Sequence, residues 1–464
     1  MSTITYENIQ VAGVPFEQIL ELSVSHAPNT HGCAWIKGIV PYDTAQEFVQ
    51  RADETFSVEI TTTADGQPPR LFFGVIDRLN LTRQQEYAVL EVAAKTTSSQ
   101  IDTKKNSRTF QNTGKTYGQI LNQLLEGKAT VSVTVTDEAI GALIMQCNET
   151  DWEFMIRMAS RLGVPAFSNI FARTPHIYIG LPPAGQSRSM DTIFCDYDKQ
   201  DGDYRTYAAN VTSGGAMGED FATEKITSYS YLYLGDTVLL SGKDRQVKTM
   251  EAVLRDGILE CTYTLGLKSS FRAAPVLNEQ ASGKMMTGRV TEVKADRVKV
   301  FFHSVDAKED KSGDWWFPYS TAYSSQDGSG WYSMPAVGDE VRIFFPSGNE
   351  ADAFAAGSVA KNVRPDVREK CWRGLNGKQI LMTEDGLVII GKEGKLYLKL
   401  SDDKGIEIIS DMDINITSGT RVNIQGGDEV KIIAENEVLV GTATAYLDIR
   451  KEGITASAEN IILN

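Results

Sequence analysis

The sequence predicts a mainly β protein: tandem β-barrels with helical inserts, then a small five-stranded barrel, then a C-terminal repeat of short strands. Three observations support this fold class. Apolar and polar residues alternate in many short segments, as in half-buried strands. Residues 380–464 carry apolar pairs that recur every eight residues. Turn-forming residues separate these pairs, which is typical of a repeat architecture.

Composition limits the possible functions. The chain has 464 residues, with 46 Lys+Arg against 61 Asp+Glu and a net charge of −15. This length allows two to four domains. An acidic chain does not favour nucleic acid or an anionic membrane surface as a partner, because both attract clustered Lys and Arg. The five cysteines are widely spaced without metal-ligand spacing, which suits a reducing compartment: Cys33, Cys147, Cys195, Cys261 and Cys371.

Residues 1–270 are predicted to form two β-barrels with helical inserts. Strand patterns occur at residues 56–60, 71–76, 87–92, 229–234 and 257–263. A helix is expected over residues 117–125, ended by Gly127.

A second helix is expected to begin near Thr150. Thr150 or Asp151 can cap it, and Glu153 is placed to complete a capping box. A metal or catalytic role for Glu149, Asp151 and Glu153 is not favoured, because no His or Cys lies nearby in the sequence.

Residues 282–360 are predicted to form a compact barrel of the OB type. Its strand patterns lie at residues 288–293, 297–303, 337–345 and 353–359, with a Trp-Trp-Phe run between them. OB barrels often bind single-stranded nucleic acid through aromatic side chains in a basic groove. Here the neighbouring loops are acidic, so the aromatic residues are expected to pack in the core or at interfaces.

The C-terminal repeat predicts a three-chain needle. In each apolar pair, residues i and i+2 lie on one face of a strand, and about four turn-forming residues follow. One chain cannot bury so narrow a face, whereas three chains winding about one axis can. The expected core of this trimeric, intertwined β-helix consists of Leu398, Leu400, Ile406, Ile408, Ile414, Ile416, Val422, Ile424, Val430, Ile432, Val438 and Val440. Looser repeats are expected at Val388/Ile390 and Ile380/Met382. An ordinary antiparallel sheet or a single-chain solenoid remains possible.

Two motifs resemble VgrG-like hub and spike proteins of contractile injection systems, which include type VI secretion, phage tails, tailocins and extracellular particles. The first resembles their OB domain and comprises Gly288, Arg289, Val290, Pro335, Gly338, Glu340 and Val341. The second is similar to a stretch of their tube-like hub and comprises Asn148, Glu149, Thr150, Asp151, Phe154 and Arg157. Residues 361–379 fit the linker and residues 380–464 the β-helical spike that follow the OB domain in that family.

The resemblance implies a structural role without cofactor. A homotrimer would dock on the hexameric inner tube and baseplate proteins, and would puncture the target membrane when the sheath contracts. A separate PAAR-type protein would form the tip, and effectors would travel as cargo. The N-terminus lacks the basic and apolar regions of a signal peptide. The resemblance therefore implies assembly in the bacterial cytoplasm and delivery outside, or into the target cell, by contraction.

Catalytic motifs are not found in the sequence. The four histidines are scattered, no Gly-x-Ser-x-Gly elbow occurs, and no residue is assigned a catalytic, cofactor-binding or metal-binding role. The alternative is a trimeric β-helical enzyme that degrades polysaccharide, as phage tailspikes do. Such enzymes have longer coils than eight residues, so the sequence favours the structural role.

Overall fold

The computed structural model describes residues 3–53, 55–84, 87–183, 188–189, 193–211, 215–240, 242–359 and 366–462. The chain divides into two compact units, Met1–Lys361 and Asn362–Asn464. No helix in the described residues is long and apolar enough to cross a membrane.

A large antiparallel sheet begins the first unit. Its first six strands are β1 (Ile9–Ala12), β2 (Gln18–His26), β3 (Cys33–Pro41), β4 (Ser57–Thr62), β5 (Arg70–Gln84) and β6 (Tyr87–Thr96), with helix α1 (Tyr42–Arg51) between β3 and β4. Alternate residues of β3 and β4 are buried, as the alternating sequence predicts.

A smaller helical layer follows the sixth strand. It contains β7 (Asn106–Phe110), α2 (Tyr117–Leu124), β8 (Thr130–Val133), β9 (Ile144–Glu149), α3 (Asp151–Arg161), β10 (Ala166–Ser168) and β11 (His176–Ile179). Both predicted helices are present, and each begins with a capping box, at Thr116 and at Thr150.

The chain then returns to the large sheet. The returning elements are β12 (Arg188–Ser189), β13 (Phe194–Lys199), α4 (Asp201–Asn210), β14 (Ala222–Ser228), β15 (Thr237–Leu240), β16 (Lys243–Arg255) and β17 (Ile258–Gly266). The main path runs β1-β4-β5-β6-β3-β2-β16-β17-β14-β13.

The strand predicted at residues 229–234 is wrong. This segment is a loop. Its backbone N–H groups donate to side chains and not to a neighbouring strand. Leu232 N donates to Tyr263 Oη at 2.8 Å, and Tyr231 N donates to Gln67 Oε1 at 3.0 Å. Tyr231, Leu232 and Leu234 are all buried, so the apolar character reflects core packing without strand alternation.

A five-stranded barrel completes the first unit. Its strands are β18 (Met285–Lys294), β19 (Arg297–Phe301), β20 (Phe317–Pro318), β21 (Glu340–Phe344) and β22 (Phe354–Ser358), in the order β20-β19-β18-β21-β22. A bridge between Tyr319 and Ala355 joins the two edges and closes the barrel.

The second unit contains two antiparallel meanders formed within the chain. The first is β23 (Lys370–Arg373), β24 (Gln379–Thr383), β25 (Gly386–Lys392), β26 (Leu396–Ser401) and β27 (Gly405–Ser410), and the second is β28 (Glu437–Gly441), β29 (Tyr446–Arg450) and β30 (Gly453–Ser457). β23 lies inside the segment predicted as a linker, of which residues 361–365 lie outside the described residues. For residues 370–410, the single chain therefore has the ordinary antiparallel sheet that the sequence left open.

Candidate functional site

Helix α3 is positioned by the capping box predicted from the sequence. Glu153 N donates to Thr150 Oγ1 at 3.0 Å, and Thr150 N donates to Glu153 Oε2 at 2.8 Å. Two of the unpaired donors at the start of the helix are satisfied in this way. The cap fixes where α3 begins, and therefore where its side chains point.

Asp151 lies at the centre of a buried polar cluster. Its Oδ1 accepts from Arg108 Nη1 at 2.9 Å, from Gln146 Nε2 at 3.1 Å and from Asn106 Nδ2 at 3.1 Å, while Oδ2 accepts from Lys128 Nζ at 3.2 Å. Burial raises the pKa of Asp151, but these hydrogen bonds and the Arg108 charge outweigh it, so the pKa lies below its ordinary value. Its carboxylate therefore joins α3 to the strands beside it.

Arg157 links α3 to the small barrel. Its Nε and Nη2 donate to the two oxygens of Glu149, both at 2.7 Å, and its Nη1 donates to Glu350 Oε1 at 2.9 Å. Arg161 donates to the other oxygen of Glu350. The side chain of Arg157 is 4% exposed and that of Glu350 is 0% exposed. The structure thus brings the predicted Glu149 and Arg157 together with a partner 193 residues away in the chain.

The charges of this buried cluster hold one another in the ionised state. Burial lowers the pKa of Arg157, but the hydrogen bonds and charges of Glu149 and Glu350 raise it above its ordinary value. Burial raises the pKa of Glu350, but the charges of Arg161 and Arg157 bring it below its ordinary value of 4.5. Asn278 Nδ2 also donates to Glu350 Oε1 at 3.1 Å. Removing one partner would leave an unpaired buried charge.

Further contacts tie the barrel to the helical layer. The carboxylate of Asp306 accepts from Thr109 N at 2.8 Å and from Thr109 Oγ1 at 2.5 Å. That of Asp314 accepts from Thr113 N at 2.8 Å and from Thr113 Oγ1 at 2.9 Å. The side chains of Leu143, Met145 and Cys147 belong to the barrel's hydrophobic core. The junction therefore combines apolar packing with buried charge pairs.

The remaining residues of the hub motif have structural environments. Phe154 is buried, and its ring stacks on Phe110 with centroids 5.5 Å apart. Asn148 is exposed, with a backbone φ of +54°, a conformation that asparagine tolerates better than most residues.

The OB motif residues shape the barrel. Gly288 lies where a Cβ atom would stand 2.2 Å from Val300 Cγ1, so this strand crossing requires glycine. Gly338 has a φ of +97° in the turn before β21. The others contribute core or rim contacts: Val290, Pro335 and Val341 are buried, Arg289 covers the Phe301 ring at 5.5 Å, and Glu340 lies 3.8 Å from His303.

The structure brings together one Ser, His and Asp set that sequence spacing did not reveal. His31 Nδ1 lies 2.8 Å from Ser98 Oγ, and His31 Nε2 lies 3.1 Å from Asp102 Oδ2. In a hydrolase triad such as that of chymotrypsin, Nε2 faces the serine, so these ring positions are reversed. Ser98 is buried, and Asp102 also accepts from Thr150 Oγ1 at 2.5 Å. The set therefore anchors the cap of α3 and does not present a nucleophile. The described side chains also contain no cluster of three or more metal-ligating groups.

A second candidate site is the apolar face of the first meander. The register aligns Trp372, Ile380, Ile389, Leu398 and Ile408 in one row across the five strands. Met382, Leu387, Leu400 and Ile406 form the adjacent row on the same face. The predicted pair Val388/Ile390 lies on the opposite face, and Leu387/Ile389 takes its place. The prediction was wrong by one residue, because Leu387 and Ile389 of β25, and not Val388 and Ile390, pair with Leu400 and Leu398 of β26.

The apolar repeat continues beyond the first meander. Residues 411–436, all of which the structure describes, carry no strand. Their paired isoleucines and valines are exposed, with Ile416 and Ile424 each 70% exposed. Val438 and Val440 then lie in β28. The single chain thus displays a long series of apolar pairs that it does not cover itself.

A closed small barrel packs on a large β body, and an apolar repeat that the single chain leaves exposed follows in the sequence. Residues 40–228 match the family described as the phage tail baseplate hub, and residues 286–359 match the type VI secretion system and phage-baseplate injector OB domain. The chain therefore combines a baseplate hub domain with an injector OB domain, the domains of the hub and spike of phage tails and type VI secretion systems.

Solved structures show the same fold. The E. coli c3393 protein is a component of the type VI secretion system with structural similarity to the T4 tail proteins gp27 and gp5. It aligns with a TM-score of 0.56 at 16% identity, over 76% of this chain and 99% of its own. A chain of the half-lidded Francisella PdpA–VgrG complex aligns with a TM-score of 0.55 at 10% identity, over 86% of this chain and 87% of that one. No curated protein sequence matches the chain.

Proposed function

We propose that three copies of this chain form the hub and needle at the tip of a contractile injection machine. The observation that carries this proposal is the uncovered apolar repeat of the second unit. Burying one isoleucine side chain stabilises an assembly by about 1.5–3 kcal/mol. Apolar pairs repeated every eight residues would contribute this burial energy along the whole needle. A single chain does not bury these side chains and therefore does not gain it.

The two parts of the repeat support two packing modes. Residues 370–410 already satisfy their strand hydrogen bonds within the chain, so three such sheets would meet through their apolar faces. Residues 411–436 have no strand partner of their own. Buried backbone N–H and C=O groups need partners, so these repeats would wind with the corresponding residues of two other copies. The intertwined β-helix therefore applies best to residues 411–436, between the two meanders.

The hub would receive force and the needle would deliver it. The first unit would dock on the hexameric inner tube and on baseplate proteins, as its family membership supports. The buried Arg157–Glu350 cluster would keep the small barrel fixed to the body during contraction. The aligned Francisella structure is a complex of two proteins, PdpA and VgrG, which supports protein partners for this chain. We assign these partners as a PAAR-type tip protein and cargo effectors.

The location follows from the same role. The spike would assemble in the bacterial cytoplasm and leave the cell when the sheath contracts, touching the target membrane only transiently. Puncture by a preassembled rod needs no chemical step, so we assign the protein no enzymatic activity and no cofactor.

Substitution within the repeat tests the proposal. Ile416→Asp would place three like charges around one dry axis, which is strongly unfavourable. Asn415→Asp adds the same charge at the intervening position, which faces outward in the proposed needle. Light scattering should show trimers for Asn415→Asp and no trimers for Ile416→Asp. Trimers of equal stability in both variants would refute the proposed core.

A further inference from the structure

A cysteine and a lysine meet where the chain enters the small barrel. Lys284 Nζ donates to Cys147 Sγ at 3.5 Å, although the two residues lie 137 positions apart in the chain. Cys147 belongs to β9 of the helical layer, and Lys284 immediately precedes β18, the first strand of the barrel. The pair therefore spans the junction between these two parts of the first unit.

Backbone contacts hold both sides of the pair in place. Asn278 Nδ2 donates to Met145 O at 2.8 Å, which attaches the segment before the barrel to β9. Lys284 N donates to Ala281 O at 3.0 Å, and Lys284 O accepts from Phe345 N at 3.0 Å. Because the backbone is fixed, bringing the amine to the thiol costs mainly the rotational freedom of the lysine side chain.

The hydrogen bonds of the sulfur orient it toward the amine. Cys147 Sγ donates its hydrogen to Gln280 O at 3.4 Å and accepts from Lys284 Nζ. The thiol hydrogen therefore points away from the lysine, and a lone pair of the sulfur faces the nitrogen. Sulfur and nitrogen joined through one oxygen atom stand farther apart than in a direct S–N bond. From a separation of 3.5 Å, a bridge of one atom therefore requires the smaller movement.

The exposure of the two groups favours a small oxidant. Cys147 is 3% exposed, so other thiols and bulky oxidants have poor access to it, whereas molecular oxygen is small and apolar. Lys284 is exposed, so its ammonium group can lose a proton to solvent before it reacts. A neighbouring lysine also supplies the positive surroundings that distinguish reactive cysteines from inert ones.

We propose that Cys147 and Lys284 become joined through one oxygen atom when the protein meets molecular oxygen outside the reducing cytoplasm. The thiol of Cys147, the neutral amine of Lys284 and O₂ give an S–O–NH bridge and one water molecule. The S–H bond, one N–H bond and the O–O bond break, and an S–O and an N–O bond form. The second oxygen atom takes the two released hydrogens as water. Sulfur and nitrogen each lose two electrons, and O₂ accepts all four.

The bridge would add a covalent link to a junction that Arg157 and Glu350 hold by charge. Thiols stay reduced in the cytoplasm, so the protein would assemble without the bridge and acquire it after delivery. Only this timing rests on the proposed function. The bridge itself lies within one chain and does not depend on the trimer.

Peptide mass spectrometry of the full chain tests the bridge. The protein would be purified without oxygen in the presence of a reductant, then transferred to oxygenated buffer and digested without reductant. We expect a linked pair of peptides, one with Cys147 and one with Lys284, heavier than their sum by about 14 Da, since one oxygen is gained and two hydrogens are lost. Dithiothreitol should reduce the bridge and return the two separate peptides.

The matched control is Lys284→Arg. Arginine keeps the positive charge and a hydrogen-bond donor beside the sulfur, but its guanidinium stays protonated and offers no free amine. The linked peptides should therefore be absent from this variant. The substitution lies at an exposed position, whereas replacing Cys147 would disturb the core of the barrel.

The outcomes decide the bridge separately from the trimer. A folded, oxygen-treated protein without linked peptides would overturn the bridge. Equal oxidation of Cys147 to sulfenic or sulfinic acid in the unmodified chain and in Lys284→Arg, again without linked peptides, would overturn it as well. Linked peptides in a protein that light scattering shows to be a monomer would support the bridge and contradict the proposed needle. If Lys284→Arg fails to fold, the unmodified chain before and after oxygen still decides the question.

Discussion

Glu350 provides the sharpest test of the rigid junction between the small barrel and the hub. Its carboxylate is fully buried, and it accepts from Arg157, Arg161 and Asn278. In Glu350→Gln the side chain keeps its size but loses its charge, so two arginines lose their shared counter-charge. Breaking a buried pair costs about 3–5 kcal/mol. At about 2–4 °C per kcal/mol for large domains, the midpoint of thermal unfolding should fall by roughly 6–20 °C.

The matched control is Glu292→Gln in the same barrel. Glu292 is exposed and accepts from Lys299 Nζ at 2.9 Å, and exposed pairs contribute about 0–1 kcal/mol. Differential scanning calorimetry on both variants gives the comparison. We also expect a separate low-temperature transition for the barrel in Glu350→Gln, because the cluster fixes the barrel to α3. Equal midpoints for Glu350→Gln and Glu292→Gln would refute the proposed role of the buried cluster.

Three further predictions concern the cap, the pH response and the repeat. Thr150→Ala should destabilise the first unit by about 0.5–2 kcal/mol in denaturant titrations, through loss of the α3 cap; an unchanged midpoint would contradict the capping geometry. The pKa of Glu350 lies below 4.5 in the folded chain, so its contribution is complete above pH 4.5 and is lost as pH falls through the lowered pKa. Acid titration of Glu350→Gln should therefore show a shallower loss of stability below pH 4.5 than the unmodified chain, and parallel curves would count against the ionised cluster. Deleting residues 418–425 removes one complete repeat and should preserve trimers, whereas deleting residues 418–421 shifts the phase of the repeat and should weaken them; equal melting of the two deletion variants would exclude the eight-residue period as the basis of assembly.

Local sequence signals predicted the parts of the fold that depend on neighbouring residues. The capping box at Thr150 is confirmed, because its partners are three residues apart. The strand predicted at residues 257–263 is confirmed as β17, which begins one residue later at Ile258 and along which burial alternates. The mainly β fold class and the OB barrel are also confirmed.

Features that depend on tertiary contacts could not be read from the sequence. Glu350 carries no local signal, since its partner Arg157 lies in another element 193 residues away. The loop around Tyr231 has the apolar composition of a strand because its side chains enter the core, while its backbone bonds to Tyr263 and Gln67. In β25 the residues from Leu387 to Ile390 are all apolar. The sequence therefore does not show which alternate pair lies on the apolar face of the first meander.

The residues assigned to the needle core remain a prediction about an assembly. In the single chain, Leu398, Leu400, Ile406 and Ile408 share one sheet face, which is the arrangement that packing around an axis requires. For the pairs from Ile414 to Ile432, the observation that supports a place in the needle core is that their side chains are exposed in the single chain. In the proposed needle, the contacts of these side chains would come from other copies of the chain.

Molar mass in solution tests the central claim most directly. Light scattering of the full-length protein should give three times 51.0 kDa, about 153 kDa, and this value should persist on dilution because the proposed needle interlocks its chains. A mass of 51.0 kDa under the same conditions would contradict the trimeric hub and needle.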